Sequence, residues 1–244
     1  MTIASATPYC SHGAHCQTCS LSSLCLPVSL KTGELDHFDA IIKRRPPLAT
    51  GDCLFRQGDH FSNVYAIRSG SLKQVNFDHA GNEQITHFFL PGELVGFDGI
   101  DDGYHTGYAH AMETTCICEI PFSHLETLAE RIPQLRSQLF RSMSREMKED
   151  HRLIRLLSCK TADERIAGFL INLAVRFQRC GHSSKTYRLP MTRTDISNHL
   201  GLALETVSRV LKRFRDNHLV AIRGRDVQIL QPQLLYKLAE NGSP

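Results

Sequence analysis

Residues 193–212 read RTDISNHLGLALETVSRVLK, and their pattern decides the fold of the C-terminal third. Thr192 is placed to cap a first helix, with Asp195 in the first turn favouring the positive end of the helix dipole. Small Ser197 lets a second helix approach, and Gly201 supplies the tight turn between them. Ile196, Leu200, Leu202, Val207 and Val210 supply a shared apolar core. These constraints together define a helix-turn-helix. An ordinary helical hairpin rarely meets all of them at once.

On the second helix Glu205, Ser208 and Arg209 share one face near the N-terminus, the end that enters a DNA major groove. Arginine can donate twice to guanine, glutamate can accept from cytosine, and serine is adaptable. The plainer reading of Glu205 and Arg209 is a salt bridge one helical turn long. Arg193, Thr206, Lys212, Arg213 and Arg215 are candidates for phosphate contacts. Charge agrees: 160–244 carries 14 Lys and Arg against 7 Asp and Glu, whereas 1–159 carries 14 against 18. A basic module appended to an acidic one suits a polyanion partner. A hairpin, Val220–Ile222 and Val227–Leu230, is expected to close this domain as its wing.

Upstream, a helix spans about 133–158. Arg136, Phe140, Met143, Met147, Asp150, Ile154 and Leu157 recur on it at steps of four and three, a heptad seam that favours a second copy of the helix. The alternative is a helix lying on its own domain. Asp150 is out of character in such a seam, where it would meet its own copy. It could instead face solvent beside Arg145 or Lys148.

From 48 to 120 short β-rich runs (53–55, 63–68, 71–77, 84–90 and 115–120) alternate with glycine turns, which predicts an antiparallel barrel or sandwich. Residues 34–45 fit a short amphipathic helix stopped by Pro46 and Pro47. No segment has the ~20 apolar residues of a membrane span, and the start lacks the basic and apolar regions of a secretory signal. A cytoplasmic protein is expected, so its nine cysteines should not form a disulfide framework.

Residues 1–30 contain no Asp, Glu, Lys or Arg, yet hold Cys10, Cys16, Cys19 and Cys25. Cys16, Cys19 and Cys25 are spaced C-x2-C-x5-C. Three thiolates need a fourth ligand to close a tetrahedral zinc or a cubane iron–sulfur site. Candidates are Cys10, His12, His15, Cys116 and Cys118, and spacing alone does not choose the metal.

The strings HCQTCSLSSLCLP (15–27), LFRQGD (54–59), YAIRSG (65–70), EQITHFFLPGELVGFD (83–98), ETTCICEIPF (113–122) and LGLALETVSRVLKRF (200–214) together resemble the FNR type of regulator in the cyclic AMP receptor protein superfamily. The resemblance covers roughly residues 14–240. It implies an α+β chain: a cysteine-rich segment (1–30), a cyclic-nucleotide-binding-like β-roll or jelly roll (31–132), a dimerisation helix (133–159) and a winged helix-turn-helix domain (160–244). It implies an oxygen-labile [4Fe–4S] cluster on Cys16, Cys19, Cys25 and Cys118, the last because it precedes Glu119-Ile120-Pro121-Phe122. Cys116, two residues earlier, departs from the family's pattern and would share a strand face with Cys118.

The resemblance further implies a homodimer when the cluster is loaded and base reading by Glu205, Ser208 and Arg209 on an inverted repeat of TTGAT-like half-sites in double-stranded DNA. It also implies contact with RNA polymerase through a loop holding Asp78, Gly81 and Glu83. Three other functions compete. A cyclic-nucleotide regulator could use Glu93 on a ribose, but 104–112 (YHTGYAHAM) offers no arginine for the cyclic phosphate, so no cyclic nucleotide is expected. A structural zinc could replace the cluster. An enzyme would need a nucleophile–base constellation, and none is apparent.

Overall fold

The computed structural model describes residues 15–241 apart from 79 and 182. Cys10 and His12, two candidate fourth ligands, lie outside the described residues. Contacts divide the chain into two units, 1–73 with 89–142, and 74–88 with 143–244.

In the first unit, α1 (Thr32–Ile41) starts where the Glu34 carboxylate accepts the Lys31 N–H at 2.8 Å. It stops four residues earlier than the sequence predicts. Lys43 and Arg44 form instead a two-residue strand, β1 (Lys43–Arg44), hydrogen-bonded to a later strand. Next along the chain come β2 (Cys53–Phe55), β3 (Asn63–Ser69), β4 (Leu72–Phe77), β5 (Glu83–Phe89), β6 (Leu94–Val95), β7 (Tyr108–Ala111) and β8 (Cys116–Pro121), with most of β4 and β5 counted in the second unit. Two four-stranded sheets result, ordered β1-β8-β3-β6 and β2-β7-β4-β5. Tyr65, Ile67, Val95 and Ile117 from one and Leu54, Phe55, Ala109 and Ala111 from the other share one buried core. That is the expected β-roll. The short strands β1, β6 and β7 escaped the sequence reading, because two to four residues carry too little alternation to register.

Gly70 shows why a turn residue is fixed. Its φ is +79°, and a Cβ there would run into Thr115 Oγ1 and Thr114 O, so only glycine fits between β3 and β4. Along β8, Cys118 pairs with Arg44 of β1 on one side and Ala66 of β3 on the other. The β3–β8 register shifts between Ile67 and Ser69, beside Cys116. Cys116 therefore sits beside the irregular end of the pairing, and Cys118 within its regular part. Cys116 is 4% exposed.

Helix α2 (Phe122–Arg131) follows, then α3 (Pro133–Cys159), which continues into the second unit. Phe140, Met147 and Ile154 on α3 are 61%, 59% and 59% exposed. Arg136 and Asp150 are also exposed, and Met143 and Leu157 are half-buried. The helix lies on its own unit through buried Leu135, Gln138 and Leu139 and leaves that row outside the contact. Asp150 Oδ1 lies 3.8 Å from His87 Nδ1, a neighbour outside its own helix that the sequence reading did not include.

The second unit holds α4 (Ala162–Arg179), β9 (Thr186–Arg188), α5 (Arg193–His199), α6 (Leu204–Asp216), β10 (Val220–Arg223), β11 (Asp226–Ile229) and α7 (Pro232–Asn241). Thr161 caps α4 reciprocally with Glu164. Two corrections concern its end. The hairpin β10–β11 does not close the domain, because α7 follows and packs on α4 through buried Leu235. The wing sheet also has a third strand, in the order β10-β11-β9. No helix among the described residues is long and apolar enough to cross a membrane.

Candidate metal centre and DNA-reading surface

The chain from 15 to 30 is tied down by its own turns. Short 3-10 helices cover Cys16–Thr18 and Leu26–Ser29, and Cys25 N–H donates to Leu21 O at 3.0 Å. Leu26 and, from α1, Phe38 are fully buried and anchor the segment. Leu24 packs over Gly92, where an added Cβ would come within 3.1 Å of it. The outcome is a recess of about 390 Å³, including its open mouth, lined by Cys16, Cys19, Cys25 and Cys118 together with Leu21, Phe38, Ile42, Ala66, Ile67, Arg68 and Ile120. Cys116 does not line it. Neither does His15, whose Nδ1 lies 2.7 Å from Asp39 Oδ2.

Burial pushes the Cys16 thiol up, and the Asp39 carboxylate beside it adds to the shift. Burial also raises Cys118, while Arg44 and Arg68 pull it back by favouring the thiolate. Asp39 is desolvated as well, yet hydrogen bonds from His15 and Cys16, with the charge of Arg44, hold it down at about 2. Sequence reasoning missed Asp39 and Arg44. Neither belongs to a motif: Arg44 is brought to Cys118 by the pairing of β1 with β8, and Asp39 to Cys16 by α1 packing on the 16–18 turn.

Four thiolates around one zinc at about 2.3 Å would sit roughly 4 Å from one another. Among the described residues no three of His, Cys, Asp or Glu are gathered that closely. Four cysteines around one apolar recess are a donor set that suits a thiolate-held metal or iron–sulfur group.

In the second unit Thr192 Oγ1 accepts the Asp195 N–H at 3.1 Å, and Asp195 Oδ2 accepts the Thr192 N–H at 2.8 Å. This reciprocal cap starts α5. Gly201, at φ +58°, turns the chain toward α6. Ile196, Leu200, Val207 and Val210 are buried between the two helices. Leu202 is only half-buried, at the edge of that core.

The opposite face of α6 presents Glu205 and Arg209, both exposed, with Ser208 half-buried between them. The Arg209 guanidinium lies 3.3 Å from Thr206 Oγ1, so it leans on Thr206 rather than on Glu205. Arg193 and Lys212 are exposed. Arg213 has a structural commitment: its Nε donates to Asp163 Oδ2 at 3.1 Å and its other nitrogen to Asp163 Oδ1, fastening α6 to α4. Arg215 pairs with Asp216. Leu204, 42% exposed in the first turn beside Glu205, is an apolar group on the reading face that charge-based reasoning passed over.

The β5 backbone meets α5 within this unit. Asn198 Oδ1 accepts the Ile85 N–H at 2.6 Å and Asn198 Nδ2 donates to Glu83 O at 2.6 Å, as a neighbouring strand would. His199 Nδ1 is 3.1 Å from Ile85 O. Burial pushes His199 down to about 4. Within the turn before β5, the Asp78 carboxylate accepts from Ala80 and Asn82, and Glu83 opens the strand in exposed surroundings.

The nucleotide-binding alternative finds little support in the roll. Glu93 Oε2 accepts the Leu90 N–H at 2.9 Å inside its own turn. Between β6 and β7, Asp98 binds His105 at 3.1 Å and Thr106 at 2.9 Å, and the His105 ring stacks on Phe55. A cyclic phosphate there would face a carboxylate.

A β-roll, a long exposed helix and a winged helix-turn-helix together define a DNA-binding regulator of the cyclic AMP receptor protein type. Family models agree: 46–132 match the cyclic nucleotide-binding domain and 164–238 the Crp-like helix-turn-helix domain. The chain is 54% identical over 226 residues to the transcriptional activator protein Anr of Pseudomonas protegens, covering 93% of each chain. It is 48% identical over 225 residues to the fumarate and nitrate reduction regulatory protein of Escherichia coli K12, covering 92% of this chain and 90% of that one. Among solved structures, FixK2 from Bradyrhizobium japonicum superposes with a TM-score of 0.74 at 27% identity, over 83% of this chain and all of that one. The protein belongs to the FNR type of the CRP/FNR family of transcription regulators, and its relatives are regulators rather than enzymes.

Proposed function

We infer that this chain is an oxygen-responsive regulator of anaerobic and microaerobic gene expression, carrying a [4Fe–4S] cluster on Cys16, Cys19, Cys25 and Cys118. One observation carries the reading. Three thiols from the N-terminal segment and one from β8 line a single apolar recess, with Cys116 outside it. When bound, the cluster supplies a centre that oxygen attacks. The chain's part is to bind it, shield it with Leu21, Phe38 and Ile120, and balance its charge with Arg44 and Arg68. Loading would join the segment 16–25 to the roll through Cys118.

The row Phe140, Met147 and Ile154 supports a homodimer along α3, because in a monomer those side chains stay in water. The pair then presents two α6 helices to an inverted repeat of TTGAT-like half-sites. Glu205, Ser208 and Arg209 read bases, and Arg193, Thr206 and Lys212 touch the backbone. Arg213 serves that role only by releasing Asp163. The turn with Asp78, Gly81 and Glu83 is the surface offered to RNA polymerase. A cytoplasmic location and the absence of a cyclic-nucleotide effector belong to the same reading.

The test is visible absorbance with iron and sulfide content of anaerobically purified protein, before and after air, beside DNA binding. About four irons and four sulfides per chain, lost together with DNA binding in air, are expected. Cys118→Ser should lose the cluster and Cys116→Ser should keep it. Zinc at one per chain, insensitive to air, would refute the reading.

A further inference from the structure

We propose that Asp39 is a positioning residue that pre-forms the ligand loop, holding Cys16 against the roll before any cluster arrives. The inference rests on the reading of the recess given above and names the residue that prepares it.

The Asp39 side chain is only 14% exposed and gathers partners from two other stretches of chain, 15–16 and β1. Its Oδ1 accepts the Cys16 main-chain N–H at 2.9 Å and an Arg44 N–H at 2.5 Å, and its Oδ2 meets His15 Nδ1 at 2.7 Å. Asp39 meets Cys16 twice, at the main-chain N–H and at the thiol. The main-chain bond does not depend on the thiol proton, so it can hold the residue in place when the thiol gives up that proton to ligate. Arg44 in turn is the cross-strand neighbour of Cys118. One ion pair therefore ties the segment that carries the first ligand to the strand that carries the fourth.

The composition explains why the anchor comes from α1. Residues 1–30 have no charged side chain of their own, so the loop offers a buried carboxylate only main-chain N–H groups and His15. Cys19 and Cys25 are held by turns inside the loop, through Cys19 O to Ser22 N–H and Leu21 O to Cys25 N–H. Cys16 lies at its outer end and takes its fixing from outside. Ordering a residue's backbone costs about 1–2 kcal/mol. A loop ordered in advance spares cluster capture that cost.

The experiment uses full-length, cluster-free protein kept reduced and anaerobic, with amide exchange read by NMR and iron and sulfide uptake followed over time. Asp39→Ala is expected to speed Cys16 amide exchange at least tenfold and leave the core amide of Ala66 unchanged. It should also slow initial uptake at least fivefold, with the parent's final content reached. Asp39→Asn keeps an acceptor for the Cys16 N–H and should stay within threefold of the parent in exchange. Cys16 exchange within twofold of the parent in Asp39→Ala, or Ala66 rising in step with it, overturns the proposal. Should Asp39→Ala fail to fold, Arg44→Gln tests the same tie, with Cys16 exchange up at least threefold expected and parent-like exchange overturning it. A parent that takes up no iron and sulfide overturns the reading of the recess, and exchange still judges Asp39. A parent that loads while Asp39→Ala exchanges normally overturns the role of Asp39 alone.

Discussion

Replacing Asp150 by alanine should let the protein dimerise in air. In a parallel pairing along α3, Asp150 falls between Met147 and Ile154 and would face its own copy across the seam. Two carboxylates about 6 Å apart repel by roughly 1–3 kcal/mol at effective dielectric constants of about 20 to 50. Against this, Met147 and Ile154 each have nearly 60% of their surface in water, and burying that much apolar side chain returns about 1–2 kcal/mol apiece. The pair buries four such side chains, about 4–8 kcal/mol, which the cost of association largely consumes, so the repulsion leaves the monomer–dimer balance open to a modest push. Removing the carboxylates then tightens dimerisation by about 5- to 100-fold. Sedimentation of air-exposed protein at micromolar concentration measures it. A variant as monomeric as its parent would refute the reasoning.

Two further outcomes are expected. Arg209→Ala should cost about 1–3 kcal/mol per half-site and relax the preference for guanine, whereas Lys212→Ala should weaken binding to all sequences and flatten its salt dependence. Competition titrations at several salt concentrations separate the two, and an unchanged base preference in the Arg209 variant would remove it from the reading set. His199 should make the cluster-free protein acid-sensitive. Its folded pKa of about 4 lies below the ordinary histidine value, so the unfolded chain binds the extra proton between the two. That stability is whole above about pH 6.5 and falls by as much as about 3 kcal/mol as pH drops toward 4. Burial is the main cause, with His87 and Arg176 nearby adding to it. Urea denaturation of the parent and His199→Gln across that range is the measurement, and equal slopes would exclude His199 as the source.

The helix-turn-helix was legible because its constraints are local. A cap at Thr192, a turn at Gly201 and an apolar pattern between them all lie within twenty residues, and each demands a particular side chain. The thiol spacing C-x2-C-x5-C was legible for the same reason. What stayed hidden depends on pairing across the sheet. Lys43 and Arg44 look like the tail of an amphipathic helix until β8 is there to receive them as a strand. Helix α7 follows a convincing terminal hairpin, and its purpose appears only where Leu235 meets α4.

The fourth ligand shows the same limit at one residue. By strand periodicity alone Cys116 and Cys118 are equivalent, two steps apart on one strand and so on one face. Of the two only Cys118 lines the recess, and beside Cys116 the partner strand shifts register between Ile67 and Ser69, with Ala66 still opposite Cys118. A strand's own sequence says little about a bulge in its neighbour, because the extra residue is accommodated by the pairing rather than by any side chain of the receiving strand. Below the bulge the alternation is intact. Cys118 and Ile120 then share a face with Ala66, under α1, where the N-terminal thiols descend. Cys116 lies two residues farther along the strand, beside the shift, and falls outside that lining.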